Sequence, residues 1–354
     1  MQSFKPYFDF IRYAIGSISS VPESAGEVDW ANFYRFCIRQ SIAGLVFDGV
    51  ERSGMKLPKP VLFEWLGVME NIKNSNQLVN KRCLQICHFW EKRGYRSCIL
   101  KGQANALMYP RPELRSPGDI DVWVEGDTVE IIKLAQKEAP EGHYSLHHVT
   151  MPVFDETSVE VHYRPIFLDN RLLDRKLKKY VDMIKERQFS HRVTLGDSDG
   201  QIGCLTDDFN VVYQLLHMWH HFFSTRNNLK QLVDYYFLLK RGLTEEHREQ
   251  AVELIESLGV TKYARGIMWV MHETLGMEER HLLMAPDEKI GKVVLNETLS
   301  YGKRKKKRKG GVVFRRLVDN SHLFRYFPSS VIGNPMHLVW HQWWKWKMKR
   351  KLKH

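Results

Sequence analysis

Apolar residues recur at helical spacing from residue 3 to residue 95. "DWANFYRFCIRQ" places them three and four apart, with Asp29 ahead of the run as an N-cap. "PVLFEWLGVMENIKNSNQLVNKRCLQICHFWEKRG" keeps that period until Gly94, which predicts one long helix. The period then shortens. "YRSCILKG" is a short apolar run closed by a glycine, as in a buried strand feeding a turn. "QANALMY" reads as helix, "DIDVWV" as strand, and "DTVEIIKLAQKEA" as a helix capped by Asp127. "YSLHHVTMPVF" and "SVEVHYRP" read as two strands joined by "DETS". From Thr206 helical spacing returns in "DDFNVVYQLLHMWHHFF", "LKQLVDYYFLLKRG" and "EEHREQAVELIESLG". The pattern predicts an α+β chain: a helical module over 1–95, a small α/β unit over 96–200, a second helical module over 201–300, and a basic, Trp-rich tail over 301–354.

A composition of 43% hydrophobic and 12% aromatic residues can bury a core, which excludes global disorder. No apolar run reaches membrane-spanning length. The first twenty residues carry Asp9 and Arg12 among their apolar positions and read as an amphipathic helix rather than a signal peptide. Cys37, Cys83, Cys87, Cys98 and Cys204 follow no framework, which predicts reduced thiols and a cytoplasmic setting. Cys83 and Cys87 share a helix face but lack a second ligand pair, so buried thiols are expected rather than zinc. "KRKKKRK" at 303–309 carries seven positive charges and the final ten residues six more, together exceeding the net charge of +12. The body is therefore close to neutral, and the basic character belongs to an appendage.

"RSPGDIDVWV" carries the first candidate chemistry. In a strand Asp119 and Asp121 point to the same face, and like charges that close repel unless a cation lies between them. A hard divalent ion such as Mg²⁺ would serve, although Ser116-Pro117-Gly118-Asp119 is also ordinary turn chemistry. In "SVEVHYRP", Glu160 and His162 share a face, so pairing beside "DIDVWV" would bring a third acid to the same ion. In "ILKGQANALMYP" a strand ends, Gly102 permits a tight turn, and a helix begins, an arrangement that suits phosphate, with Lys101 adding charge.

"LKGQANALMYPRPELRSPGDIDVWV", followed by "VEVHYRP", resembles the uncharacterised nucleotidyltransferase family, bacterial proteins of the DNA-polymerase-β-like nucleotidyltransferase superfamily. The later "LLHMWHHFFSTRNNLKQLVDYYFLL" is similar to that family's helical segment. The resemblance implies a minimal palm, a short mixed sheet flanked by helices, binding Mg²⁺ or Mn²⁺ and an NTP. It carries over Asp119, Asp121 and Glu160 as catalytic metal ligands and Gly102 as the phosphate-cradling turn. The wider superfamily has Gly-Ser or Gly-Gly where this chain has Gly102-Gln103, so Lys101, Gln103 or Arg115 would take over the phosphate grip. Arg226 or Lys230 would reach a phosphate from the later helix. His162 and Asp234 would support these groups. The implied activity moves an NMP from an NTP to a small molecule, saccharide precursor, protein or RNA end. A binding or regulatory protein on a degenerate palm is the alternative.

Other features stay open. Lys230 and Asp234 are also spaced as a helix ion pair. His217 and His221 lie one turn apart, but no acid or Cys pair accompanies them, so packing or substrate contact is expected over a metal. "HLVWHQWWKWKMKRKLKH" suits an anionic membrane surface, nucleic acid, or a solvated terminus.

Overall fold

The computed structural model describes residues 4–196, 200–302 and 311–352. Its N-terminal helices are α1 (Lys5–Ala14), α2 (Trp30–Arg39), α3 (Ala43–Ser53) and α4 (Lys59–Glu91). The α/β unit follows as β1 (Ser97–Ile99), α5 (Gln103–Ala106), β2 (Ile120–Val124), α6 (Thr128–Glu138), β3 (His148–Thr150), β4 (Val159–His162), α7 (Arg171–Ser190), β5 (Arg192–Thr194) and β6 (Gln201–Gly203). The C-terminal helices are α8 (Asp207–Phe223), α9 (Leu229–Arg241), α10 (Glu245–Ser257), α11 (Thr261–Trp269), α12 (Glu288–Leu299), α13 (Val312–Asn320) and α14 (Pro328–Leu352).

The expected caps form. Asp29 accepts from the Asn32 amide, and Asp127 from those of Val129 and Glu130. The chain leaves α4 through Gly94 at φ +83°, a left-handed value that glycine adopts freely.

The main sheet has the order β1-β2-β4-β3. β2 and β4 run parallel in its centre, with β1 and β3 antiparallel at the edges. The register sets Asp121 beside Glu160 and Trp123 beside His162, and on the other side of β4 it sets His148 beside His162. This is the α+β arrangement with flanking helices that the pattern predicts, and the short mixed sheet that the resemblance implies.

Two apolar cores divide the molecule. One joins the N- and C-terminal helices, with Phe10, Phe33 and Trp65 packed in the same cluster as Phe209, Tyr235 and Tyr263. The other holds the sheet, α6 and the far half of α4. With 33 residues, α4 is about 50 Å long and serves both, through Val61–Ile72 in the first and Val79–Trp90 in the second. Gly44 in α3 lets that helix touch the turn before Arg115: a Cβ there would lie 2.0 Å from the Leu114 carbonyl oxygen.

Several elements differ from the expectation. The "YSLHHVTMPVF" strand contracts to His148–Thr150, and "QANALMY" to the single turn Gln103–Ala106. The pattern did not predict α7, whose polar faces obscure a buried stripe of Leu177, Val181 and Ile184. The hairpin of β5 and β6 was also not anticipated. The tail forms helix α14, which packs on α6 and α8. The basic run at 303–309 lies outside the described residues. All five cysteines are buried and unpaired.

Candidate active site

Lys101 follows β1 and stands at the centre of the site. Its ammonium lies 3.0 Å from Asp121 Oδ2 and 3.7 Å from Asp119 Oδ1. Asp119 sits just ahead of β2 and is exposed, whereas Asp121 within the strand is buried. The cation that the two aspartates require is thus already supplied by the chain. Burial opposes charge on Lys101, but Asp121 and then Asp119 outweigh it and hold the ammonium well above its usual range. Burial likewise disfavours the Asp121 carboxylate, and Lys101 and His162 overcome it, keeping Asp121 well below its usual range. Asp119 moves the other way, raised chiefly by repulsion from Asp121 and then by burial.

Glu160 lies beside Asp121 through the parallel register, and His162 joins them. Its Nε2 is 3.0 Å from Asp121 Oδ1 and 3.6 Å from Glu160 Oε2. Burial would lower the pKa of this ring, but hydrogen bonds to Asp121 and Glu160 raise it to about 9. At neutral pH His162 therefore carries a proton and bridges the two acids. One donor atom each from Asp121, Glu160 and His162 lie within 4.8 Å of one another. This trio differs from the expected one: His162 stands with the two acids and, while protonated, bridges them, and Asp119 is linked to the trio through Lys101. The donors fit a divalent ion. Two carboxylates suit Mg²⁺ or Mn²⁺, and an imidazole that gives up its proton on binding would favour Mn²⁺.

A cavity of about 320 Å³ opens in front of Lys101, within the range of small-molecule sites. Lys101, Gly102, Asp119, Arg115, Lys230, His217 and His221 line it. Gly102 has φ +64°, so the turn needs glycine. Lys230 projects from the first turn of α9 and donates to the Ser116 carbonyl at 3.4 Å. Burial, then Arg115, lowers its pKa to about 8. His217 Nε2 is 3.3 Å from the Lys101 ammonium and 3.1 Å from His221 Nε2. Burial and then Lys101 hold both rings neutral, His221 at about 3.

The structure redistributes other expected contacts. Arg115 grips Asp234 through two hydrogen bonds of 2.7 Å, both groups buried. Tyr109 donates to the same carboxylate at 2.6 Å and Asn105 at 3.4 Å. Asp234 therefore anchors Arg115, and the Lys230–Asp234 helix pair does not form. Arg115 Nη1 has no partner and is buried in the cavity wall. Gln103 turns away from the cavity, its amide donating to Asn76 at 3.2 Å and also to Asn80. That is a correction to its expected place in the phosphate grip: the single-turn helix points its side chain towards α4. Arg226 lines the same cavity, but its guanidinium is already engaged. Its backbone has φ +74°, and its guanidinium is engaged by Glu297, by Asn320 at 2.9 Å and by the Phe222 carbonyl at 2.7 Å. It fastens α8 to α12 and α13.

His147 and His148, absent from the expected set, stand beside His162. The signal was the His-His pair in a strand that had to be placed next to β4.

A short mixed sheet with adjacent acids on its central strands, joined through Lys101 and Asp119 to a cavity lined by cations, has the arrangement of a nucleotidyltransferase palm. The chain belongs to the uncharacterised nucleotidyltransferase family, whose model matches residues 26–276. No curated protein matches. Among solved structures, the chain is similar to an antigenic nucleotidyltransferase-like protein from Paracoccidioides brasiliensis, at 11% identity and a TM-score of 0.36, over 60% of this chain and 95% of that one. Among the described residues no helix is long and apolar enough to cross a membrane.

Proposed function

We propose that the protein is a metal-dependent nucleotidyltransferase that moves an NMP from an NTP to an acceptor hydroxyl, phosphate or amine. The observation that carries this reading is the pairing of Asp121 with Glu160 on adjacent parallel strands, behind a lysine that touches Asp121 and lines the cavity. Asp121 and Glu160, with Asp119 at the rim, would hold Mg²⁺ or Mn²⁺. When bound, the metal neutralises triphosphate charge and acidifies the acceptor.

The chain's own groups divide the remaining work. Lys230 and the unpartnered Nη1 of Arg115 bind phosphate oxygens, with Asp234 keeping the guanidinium in place. Gly102 lets the backbone approach. The acceptor's nucleophilic oxygen or nitrogen attacks the α-phosphorus, the bond to the bridging oxygen breaks, and pyrophosphate leaves with that electron pair. Glu160, partly exposed and held by His162, takes the acceptor proton. His162, already protonated, orients Asp121 and Glu160. The direct test is binding of Mn²⁺ with a non-hydrolysable NTP, read by calorimetry. Glu160→Gln and Lys230→Met should each weaken it at least tenfold, and unchanged affinity in both would refute the assignment.

The tail supports one partner over the other. α14 exposes Ile332, Met336, Val339, Trp343 and Trp346, spaced four and three apart along one face. Lys347 and Arg350 lie over Trp343 and Trp346. A continuous apolar stripe edged by cations suits an anionic lipid surface better than stacking on nucleic acid. Co-sedimentation with anionic vesicles should be lost in Trp343→Ser/Trp346→Ser. Binding to RNA but not to vesicles would reverse the assignment.

A further inference from the structure

We propose that His147, His148, His162 and Glu160 form a transition-metal site of the zinc type, next to the acid pair. Its ligands are placed by the strand register and do not presuppose nucleotidyl transfer, although Glu160 and His162 are shared with the acid pair. β3 is the edge strand beside β4, and its register sets His148 against His162, with His147 one residue earlier. The ring of His147 lies 4.4 Å from that of His148 and 5.3 Å from that of His162. One ring nitrogen from each of the three lies within 4.8 Å of the others.

The donor spacing is the argument. His147 Nε2 is 3.0 Å from His148 Nδ1, His148 Nδ1 is 3.4 Å from Glu160 Oε2, and His162 Nε2 is 3.6 Å from the same oxygen. Four donors about 2.0–2.1 Å from a tetrahedral ion lie about 3.3 Å from each other. These three neighbouring separations match the edge of a zinc shell, and on binding the ion His162 would give up its proton and its hydrogen bond to Asp121. A donor set rich in imidazole selects late first-row metals over Mg²⁺. His147 keeps its second nitrogen, Nδ1, 3.5 Å from Ser145 Oγ, which leaves Nε2 turned to its neighbours. His162 retains a buried Nδ1 with no partner. His162 and Glu160 belong to both sets, so the two sites adjoin, and a metal in the imidazole site would draw on the same strand that presents the acids.

The test uses the untagged full chain, stripped of metal and titrated with Co²⁺ and then Zn²⁺. The expected result is the intense visible spectrum of four-coordinate cobalt, saturating at one equivalent and bleached by Zn²⁺. His147→Gln and His148→Gln should each abolish the spectrum and weaken Zn²⁺ binding by more than tenfold, while folding by circular dichroism. His143→Gln, which alters an exposed histidine on the approach to β3, should change neither. A weak six-coordinate spectrum in the parent would overturn the site. So would bands that survive loss of both His147 and His148, or bands lost with His143. No nucleotide enters the measurement, so it passes or fails independently of the transfer activity.

Discussion

Asp234→Asn removes one charge and almost no volume, and its consequence can be worked from the contacts. The carboxylate accepts two bonds from Arg115 and one from Tyr109, with both charged side chains buried in the cavity wall. Asparagine can still accept from Tyr109, but the Arg115 guanidinium becomes a buried charge without a counter-ion. Breaking such a pair from one side costs about 3–5 kcal/mol. A chain of 354 residues unfolding as one unit loses about 1.3 °C of Tm per kcal/mol, so the melting temperature should fall by about 4–7 °C. The pH dependence has a definite sign. Burial raises the Asp234 pKa, and Arg115 more than reverses this, so the folded value is depressed. Its contribution is then fully present above about pH 4, the unfolded value, and disappears as pH falls through the folded one. The gap between parent and variant should hold from pH 8 to 5 and close in acid. Calorimetric melting across that range checks it. A fall of less than 1 °C at pH 7, with nucleotide affinity reduced, would show that Arg115 serves the ligand without serving the fold.

Other outcomes follow from neighbouring groups. Lys101→Met leaves Asp119 and Asp121 without their internal cation, so the metal-free protein should melt lower and Mn²⁺ should raise its Tm more than the parent's; an equal or smaller rise would contradict that role. Lys230 has a pKa of about 8 in the free protein, and a bound triphosphate would favour its charged form. NTP affinity should therefore fall as pH rises above 8, by up to about tenfold per unit, and calorimetry on Lys230→Met should show the flattened profile. Gly44→Ala puts a methyl group against the Leu114 carbonyl, and urea denaturation should register a loss of about 1–3 kcal/mol.

The palm was legible because its signals are local. The change of period after Gly94, the caps at Asp29 and Asp127 and the alternation in "DIDVWV" each rest on a few adjacent residues. The neighbourhood of Asp121 and Glu160 was legible as well, since two short strands bearing acids had few ways to pair. What escaped depended on distant partners. Nothing near Arg115 points to Asp234, more than a hundred residues away, and nothing near Arg226 points to Glu297. Lys101 was expected on phosphate, and only the fold reveals that it first answers the repulsion between Asp119 and Asp121. His147 and His148 were visible as letters, but their meaning required the register of β3 on β4. α7 was hidden by its own charge.

If Asp121 and Glu160 serve divalent-dependent nucleotidyl transfer, transfer must be visible with the intact protein and lost with either acid changed. The measurement is incubation of the protein with each α-labelled NTP, Mg²⁺ or Mn²⁺, and cell extract as the source of acceptor, in parallel with Asp121→Asn and Glu160→Gln. The expected result is metal-dependent label on one acceptor class with matching release of pyrophosphate, lost in both variants while they remain folded. No transfer with any NTP and either metal, or equal labelling by the parent and both variants, would contradict it and leave a palm that binds without catalysing.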